Sequence, residues 1–420
     1  MPAPPKVVRR RKVFYLPGYD PFPARRYREL YRTEGAKQAE ISEYGLRVEA
    51  AGDDGAYSWR ASGVFDGVRV ESEFEVLTWS DIVQDSMSNS IPATYWQLIR
   101  TSWTYIASGT LRRLALLPKG PLIAALYPIA VLLLQLIAAL LAAHLVGWTL
   151  STVFQALVLW ALGEGAIARW GQALLYWTPF FVIAVLVLRW FRAQDHKLYT
   201  YYLMHDYAFS AGRKGATPPA LQQRLDDFRA TIAIALLQDY DEVLVVGHSS
   251  GAHLGVSILA DLLRDHPTLP SRPALSFLSL GHVIPMVSFL PKAYKLRTDL
   301  RFLSQRDEIT WVDVTAPGDG CSYALCDPVA VTGLETAEKR WPLVFSAQFS
   351  RTMAPERYEA LRRKYFKLHF QYLCAFEQPL DYDYFQITAG PLTLGTRYAD
   401  RPPSKSRIDV PVSKYTSTGP

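Results

Sequence analysis

The chain has 420 residues, a formal net charge of +6 at pH 7, a hydrophobic content of 50% and a mean hydropathy of +0.02. Its three cysteines argue against a disulfide framework and suit a reducing compartment. Its basic clusters lack the aromatic-rich motifs and zinc spacings of nucleic-acid-binding proteins, so no nucleic acid partner is expected. Residues 1–12 contain no apolar core, and no secretory signal peptide is predicted.

The N-terminal region of the chain predicts strands and helices of a globular domain. A short strand over Lys12–Leu16 ends in the turn Pro17-Gly18-Tyr19. Helical spacing and alternating apolar residues then predict further elements. These are a helix over 25–39, strands over 41–50, 58–61 and 67–79, and a helix over 91–117.

The middle of the chain is strongly apolar, because no charged side chain occurs between Gly120 and Gly163. Pro121–Trp148 exceeds the roughly 20 apolar residues that cross a bilayer, and Trp170–Leu188 is a second uncharged run. Between them, 149–168 is shorter and is interrupted by Gly163-Glu164-Gly165. This segment is either a third span or an interfacial helix.

Basic residues flank the outer ends of this apolar region, and few charges lie between the two runs. The positive-inside rule therefore places both ends in the cytoplasm and favours a transmembrane hairpin with an even number of crossings. The flanking basic residues are Arg112, Arg113 and Lys119 before it, and Arg189, Arg192 and Lys197 after it. The predicted organisation is an N-terminal segment of one globular domain over 1–119, a hairpin over 120–190, a C-terminal segment of the same domain over 191–400 and a disordered tail over 401–420.

The segment after the hairpin contains the most informative pattern in the chain. Helices over 198–211 and 221–237 lead into the apolar strand Val243–Val246, which is followed by Gly247-His248-Ser249-Ser250-Gly251 and a helix over 252–263. Strand, Gly-x-Ser-x-Gly and helix is the local structure of a nucleophile elbow. In such a turn only small residues fit two positions before and after the serine. Ser249 is the predicted nucleophile.

These residues resemble the α/β-hydrolase superfamily at the elbow and, less completely, at Pro17-Gly18-Tyr19. The resemblance implies an α/β fold with a mostly parallel sheet flanked by helices, into which the hairpin is inserted. It also implies an oxyanion hole formed by the backbone N–H groups of Ser250 and Tyr19. Pro17 stands where the family has a histidine in the first oxyanion turn.

The family's chain order of serine, acid and histidine points to candidates for the other two catalytic residues. Asp319 follows a strand predicted over 308–315 and is favoured as the acid, with Asp327 as the alternative. His369 is C-terminal to both and is the expected base, whereas His282, which follows a strand over 274–280, is held in reserve.

The sequence therefore predicts a membrane-anchored serine hydrolase with its catalytic domain facing the cytoplasm. Its expected partners are the lipid bilayer and a small-molecule or lipid acyl ester, and no cofactor or metal is expected. Cys321 and Cys326 are a conceivable metal-binding pair, but no further ligands complete the set. The alternative function is a non-catalytic membrane scaffold that retains the hydrolase fold.

Overall fold

The computed structural model describes residues 7–51, 57–87, 90–162, 166–268 and 272–419, and the chain divides into two compact units. The first unit comprises Met1–Asp85, Trp103–Ile123 and Ser210–Pro420, and the second comprises Ser86–Ser102 and Ala124–Phe209. The second unit is thus larger than the predicted insertion, because it adds a segment that precedes the hairpin and another that follows it.

The described residues of the first unit form one mixed sheet of eight strands. The strands are β1 (Arg10–Leu16), β2 (Gly45–Ala50), β3 (Ser58–Phe65), β4 (Val68–Val76), β5 (Glu242–His248), β6 (Ala274–Leu280), β7 (Ile309–Thr315) and β8 (Leu343–Ser346). Their order is β2-β3-β4-β1-β5-β6-β7-β8. β3 pairs antiparallel with β2 and β4, and the other neighbouring pairs of this sheet are parallel. The prediction of an α/β fold with a mostly parallel sheet is confirmed.

Helices occupy most of the remaining chain. In chain order they are α1 (Arg25–Ile41), α2 (Ser80–Ser86), α3 (Ile91–Ala107), α4 (Thr110–Leu114), α5 (Lys119–Leu162), α6 (Ala166–Ala193), α7 (Asp195–Leu198), α8 (Thr200–Gly212), α9 (Pro219–Leu236), α10 (Ser250–Asp265), α11 (Ile284–Ser288), α12 (Tyr294–Leu303), α13 (Pro328–Val331), α14 (Phe349–Thr352), α15 (Pro355–Leu361), α16 (Tyr365–His369), α17 (Tyr384–Ala389) and α18 (Leu394–Arg397). A 3₁₀ turn, Phe370–Leu373, follows α16. The sequence over 355–373 predicts a helix, or a helix followed by a loop, and the structure has three short helical pieces there.

The carboxyl ends of the parallel strands lie along one edge of the sheet, and the predicted site residues follow them. Every residue of β5 is buried, as expected of a central strand that is covered on both faces. β1 pairs directly with β5, so the turn after Leu16 and the turn after His248 are neighbours. Ligand sites in open parallel sheets form at this edge.

In the second unit, the long helices α5 and α6 pack against each other in antiparallel fashion. A Cβ atom added to Gly147 would lie 2.6 Å from the carbonyl oxygen of Tyr176, and one added to Gly171 would lie 2.6 Å from the ring of Phe154. The small residues allow this close approach of the two helices, as at helix interfaces in membranes. The side-chain amide of Gln172 donates to that of Gln155 over 2.7 Å.

Among the described residues, two helices are long and apolar enough to cross a membrane, Lys119–Val158 and Arg169–Ala193. Few residues in their most apolar windows are buried, 22% and 0%, so neither is a buried core helix. The segment 149–168, predicted to be a third span or an interfacial helix, does not form a helix of its own. α5 continues through most of it, to Leu162. The interruption predicted at Gly163-Glu164-Gly165 lies outside the described residues.

The C-terminal tail, predicted to be disordered, instead packs along the first unit as far as it is described. Its backbone supplies hydrogen-bond partners to buried groups, since the buried guanidinium of Arg297 donates to the carbonyl oxygen of Ser417 over 2.6 Å. Val412 donates its N–H to Val331, and Ile408 pairs with Cys326. The polar composition of the tail suggested disorder, but these long-range contacts order its backbone.

Candidate active site

Ser249 lies in a strained turn between β5 and α10. Its φ of 57° and ψ of −120° are a conformation that residues other than glycine rarely adopt. Both flanking glycines are required, because a Cβ atom on Gly247 would lie 2.7 Å from the carbonyl oxygen of Gly251, and one on Gly251 would lie 2.1 Å from that of Leu16. The N–H of Ser249 donates to Leu280 at the end of β6 over 2.9 Å. The turn has the geometry predicted for a nucleophile elbow.

The Pro17-Gly18-Tyr19 turn lies directly against this serine. A Cβ atom on Gly18 would be 2.9 Å from Cβ and 3.3 Å from Oγ of Ser249, so only glycine allows the contact. Trp79 supports the turn by donating its indole N–H to the carbonyl oxygen of Pro17 over 3.1 Å, and its ring packs edge-on against buried Tyr19. The partial resemblance at this turn thus corresponds to a direct contact with Ser249.

Ser250 begins α10, and its backbone N–H is therefore one of the first helical donors, which have no acceptor within their own helix. The N-terminal end of the helix also favours negative charge. An oxyanion that develops beside Ser249 would face this helix end. The structure brings Ser249, Ser250 and the turn that contains Tyr19 together at one edge of the sheet.

Asp319 and His369 form a buried hydrogen-bonded pair. Asp319 lies in the loop after β7 and His369 ends α16, and Nδ1 of the histidine is 2.7 Å from Oδ2 of the carboxylate. The carboxylate also accepts the backbone N–H of Cys321 at 2.9 Å and the hydroxyl of Tyr372 at 3.0 Å. Only 2% of Asp319 and 5% of His369 are exposed. The structure thus pairs the favoured acid, Asp319, with the expected base, His369.

The surroundings of Asp319 keep it ionised. Burial alone would raise its pKa, but the charge of His369 and hydrogen bonds from His369, the Cys321 N–H and Ser322 outweigh this effect. The pKa of Asp319 consequently lies below its ordinary value of 3.8. An ionised acceptor at Nδ1 fixes the tautomer of the neutral imidazole, which carries its proton on Nδ1 and keeps a lone pair on Nε2.

His369 lies beside the serine turn. Its carbonyl oxygen is 3.0 Å from Nε2 of His248, and the two imidazole rings are 4.7 Å apart. Gly281 follows Leu280 and has no room for a side chain, because a Cβ atom would lie 2.7 Å from Cε2 of Tyr372 and 3.1 Å from Cε1 of His369. Nε2 of His369 is buried and has no hydrogen-bond partner among the described residues. The bond from the Ser249 hydroxyl to this nitrogen is thus not formed in this structure, as is common before substrate binds.

The alternative acid and base are engaged elsewhere. Asp327 caps α13 by accepting the N–H groups of Val329 and Ala330, and it pairs with Lys339 at 2.5 Å. His282 is fully buried, and its Nε2 lies 3.0 Å from the carbonyl oxygen of Cys326. Burial lowers the pKa of His282 to about 4. Both residues have structural partners that account for their positions.

Sequence reasoning missed two residues of this cluster. Tyr372 was not selected, although its position three residues after His369 puts the two on one face of a helical turn. His248, the residue before Ser249, was not selected either, and its ring packs against that of His369. Burial, followed by the nearby His369, lowers the pKa of His248 to about 3, so it is neutral at physiological pH.

The cluster also includes potential metal ligands. One ligand atom each from Asp319, Cys321 and His369 lie within 4.8 Å of one another, a donor set of the kind that zinc accepts. However, the Asp319 and His369 atoms at 2.7 Å are already bonded to each other, and Tyr372 donates to the same oxygen. Cys326, the other cysteine of the pair considered from the sequence, is buried, and burial raises its pKa, which disfavours the thiolate that metals bind. The hydrogen-bond network accounts for the arrangement without an ion.

Comparisons with protein-family models, curated proteins and solved structures found no match to this chain. The functional assignment therefore depends on the geometry of Ser249, Asp319 and His369 and on the two apolar helices.

Proposed function

We propose that the protein is a membrane-anchored serine hydrolase of the α/β-hydrolase type that cleaves acyl esters. The observation that carries this proposal is the buried, hydrogen-bonded Asp319–His369 pair beside the strained serine turn. A serine hydroxyl becomes an effective nucleophile when a histidine takes its proton and a carboxylate orients that histidine. The three residue types occur here in the required order and at one edge of the sheet.

In the proposed reaction, Oγ of Ser249 attacks the carbonyl carbon of the ester while Nε2 of His369 accepts the hydroxyl proton. The negative charge that develops on the carbonyl oxygen is stabilised by the backbone N–H groups of Ser250 and Tyr19. The intermediate then expels the alcohol, which takes the proton from His369, and an acyl-serine remains. Water, activated by the same histidine, releases the acid and restores Ser249. Asp319 stays ionised and stabilises the imidazolium throughout.

Pro17-Gly18-Tyr19 and the unpartnered Nε2 support this mechanism. A side chain at position 18 would collide with Ser249, so glycine lets the backbone of this turn approach Oγ. The missing partner of Nε2 leaves its lone pair available for the hydroxyl proton. The proposed reaction requires the Ser249 hydroxyl to reach this nitrogen.

The start of α5 supports a substrate that partitions into membranes. Within the first unit, Gly120, where the uncharged stretch begins, packs on the loop that carries Asp319, since a Cβ atom on Gly120 would lie 2.9 Å from Cα of Gly320. If α5 enters the bilayer at Gly120, the loop that carries Asp319 lies at the membrane surface. Basic residues at both ends of the two helices support a cytoplasmic site.

Labelling with a fluorophosphonate probe tests the proposal. The full-length protein, solubilised in detergent and shown to be folded by circular dichroism, is compared with Ser249→Ala and Ser250→Ala. We expect labelling of the wild type and of Ser250→Ala, because only the backbone of Ser250 is used, and none of Ser249→Ala. Absence of Ser249-dependent labelling in the folded wild type would favour the non-catalytic scaffold.

A further inference from the structure

Cys321 places a thiol beside the proposed site that the proposed reaction does not use. It lies two residues after Asp319 in the same loop, and its backbone N–H donates to that carboxylate over 2.9 Å. The Cys321 residue is half-buried, whereas Asp319 and His369 are almost completely buried. Of these three residues, Cys321 is therefore the one most open to solvent.

The side chains of Asp319, Cys321 and His369 bring three metal ligands together. One ligand atom from each lies within 4.8 Å of the others, and this is the one such group found in the described part of the chain. A carboxylate, a thiolate and an imidazole are the ligand types that zinc binds in proteins. The ligands that the sequence left missing around Cys321 are thus an aspartate and a histidine of the proposed site.

Small movements would let these three groups bind an ion. Zn–S bonds of about 2.3 Å and Zn–N or Zn–O bonds of about 2.0–2.2 Å hold the ligand atoms of a tetrahedral site about 3.3–3.7 Å apart. The three atoms are at most 4.8 Å apart, so they need to approach by about 1.5 Å at most. Nδ1 of His369 and Oδ2 of Asp319, now joined by a hydrogen bond of 2.7 Å, must separate slightly. Metal binding therefore competes with the hydrogen bond that orients the histidine.

An ion at this position removes the base of the proposed reaction. If it binds Nε2 of His369, it occupies the lone pair that accepts the proton of Ser249. If it binds Nδ1, the proton of that nitrogen moves to Nε2, which then has no lone pair. In either case the Cys321 thiol releases one proton to solvent as the Zn–S bond forms, so zinc binding strengthens as the pH rises.

We propose that Zn²⁺ binds Asp319, Cys321 and His369 and reversibly inhibits the enzyme. The inhibition rests on the proposed function, whereas the binding of zinc does not. Hydrogen bonds already account for the arrangement of Asp319 and His369 without an ion, and the reaction needs the proton that the ion displaces. The metal is consequently an inhibitor rather than a cofactor.

Zinc binding is measured without turnover on full-length Ser249→Ala in detergent, with any histidine tag removed. Competition with a fluorescent zinc chelator gives the Kd. We expect Cys321→Ser, added to this variant, to weaken binding at least about a hundredfold, because loss of a residue that only supports a ligand already costs about 10–100-fold. Cys374→Ser removes another half-buried thiol, outside the group, and should leave the Kd unchanged. Equal losses in the two variants, or no binding that depends on Cys321, would overturn the proposal.

Cobalt tests whether the sulfur is a ligand. Co²⁺ bound in place of Zn²⁺ gives a thiolate-to-metal charge-transfer band in the near ultraviolet when a cysteine coordinates it. We expect this band in Ser249→Ala and in its Cys374→Ser derivative, and its loss in the Cys321→Ser derivative. Cobalt binding without the band would show that Cys321 does not coordinate the ion and would contradict the proposed site.

Fluorophosphonate labelling separates the metal site from the proposed hydrolase activity. We expect Zn²⁺ to suppress labelling of the wild type and EDTA to restore it. Relative to its own labelling without metal, Cys321→Ser should need at least about a hundredfold more zinc for half suppression. Cys321-dependent zinc binding in a protein without Ser249-dependent labelling would support the metal site and reject the hydrolase. Ser249-dependent labelling that zinc does not suppress would reject the inhibition and leave the hydrolase standing.

Discussion

Two buried aspartates in the first unit each lie near a histidine, yet their surroundings differ sharply. Asp319 accepts hydrogen bonds from His369, from the Tyr372 hydroxyl and from the backbone N–H of Cys321. Asp313, in β7, accepts one bond, from the Ser279 hydroxyl at 2.5 Å. Its other carboxyl oxygen, Oδ2, has no partner among the described residues.

The number of donors decides the charge of each carboxyl group. Burial raises the pKa of Asp313 well above 3.8, and the single bond from Ser279 does not offset this, whereas the pKa of Asp319 is lowered. His282 lies 3.6 Å from Oδ2 of Asp313, a distance that allows an ion pair, but burial lowers its pKa to about 4. His282 is therefore neutral at pH 7, and burial favours the neutral, protonated form of Asp313. A buried aspartate near a histidine is not by itself a catalytic pair.

Replacement of the two aspartates by asparagine tests this contrast most strongly. We expect Asp319→Asn to lower kcat for ester hydrolysis by about 10⁴-fold, because an asparagine amide favours the wrong tautomer of the histidine. Asp313→Asn preserves the shape of a neutral carboxyl group and should change kcat little. Steady-state kinetics with a chromogenic ester provide the measurement.

Similar losses of activity in the two variants would contradict the different roles assigned to Asp319 and Asp313. So would an Asp319→Asn variant that retains more than about one hundredth of the wild-type kcat. Circular dichroism of both proteins excludes misfolding as the cause of a loss.

Removal of one donor to Asp319 should have an intermediate effect. A hydrogen bond to a charged group contributes about 1.5–3 kcal/mol, and we expect Tyr372→Phe to lower kcat by about tenfold. The pKa of Asp319 should rise, so the acid limb of the pH–rate profile moves to higher pH. Ionised Asp319 stabilises the fold at pH values above its unfolded pKa, and this stabilisation is lost as the pH falls through its folded pKa. Because the folded pKa is higher in Tyr372→Phe, the variant should lose this stabilisation at a higher pH than the wild type.

Tyr382→Phe is the matched control for this prediction. Tyr382 is equally buried, but its hydroxyl donates to the backbone carbonyl of Tyr372 rather than to the carboxylate. An acid limb that moves as far in Tyr382→Phe as in Tyr372→Phe would show that the shift does not come from the bond to Asp319.

The local features of the site were predictable because short patterns determine them. A strand, small residues around Ser249 and an apolar helix are contiguous in the chain. Gly18 closely follows β1, a strand that the local sequence alone predicts. The remaining features depend on contacts between distant residues. The hydroxyl of Tyr372 reaches a carboxylate 53 positions away, and the pairing of β1 with β5 joins segments more than 200 residues apart. Hydrophobic periodicity contains no information about such pairs.

The boundaries of the hairpin and the order of the tail also depend on contacts between distant residues, so local patterns did not predict them. Apolar composition identified α5 and α6, but it did not show that α5 continues as far as Leu162. It also did not show that the segment Ser86–Ser102 joins the second unit. The tail looked disordered because its residues are polar, and its order depends on a buried guanidinium, Arg297, whose partners cannot be read from the tail itself.

The smallest expected effect is a change in stability, and it concerns Asp313 alone. Because folding raises the pKa of Asp313 well above 3.8, the folded protein binds up to one more proton than the unfolded chain between pH 3.8 and the folded pKa. In that range the contribution of Asp313 to the free energy of unfolding decreases by up to about 1.4 kcal/mol for each pH unit. Asparagine does not titrate, so this slope should be absent from Asp313→Asn. Denaturant unfolding of both proteins in the same detergent at pH 5, 6 and 7 measures the difference between them. A constant difference across these values would mean that Asp313 is ionised in the folded protein, and the number of hydrogen-bond donors would then no longer explain why only Asp319 is charged.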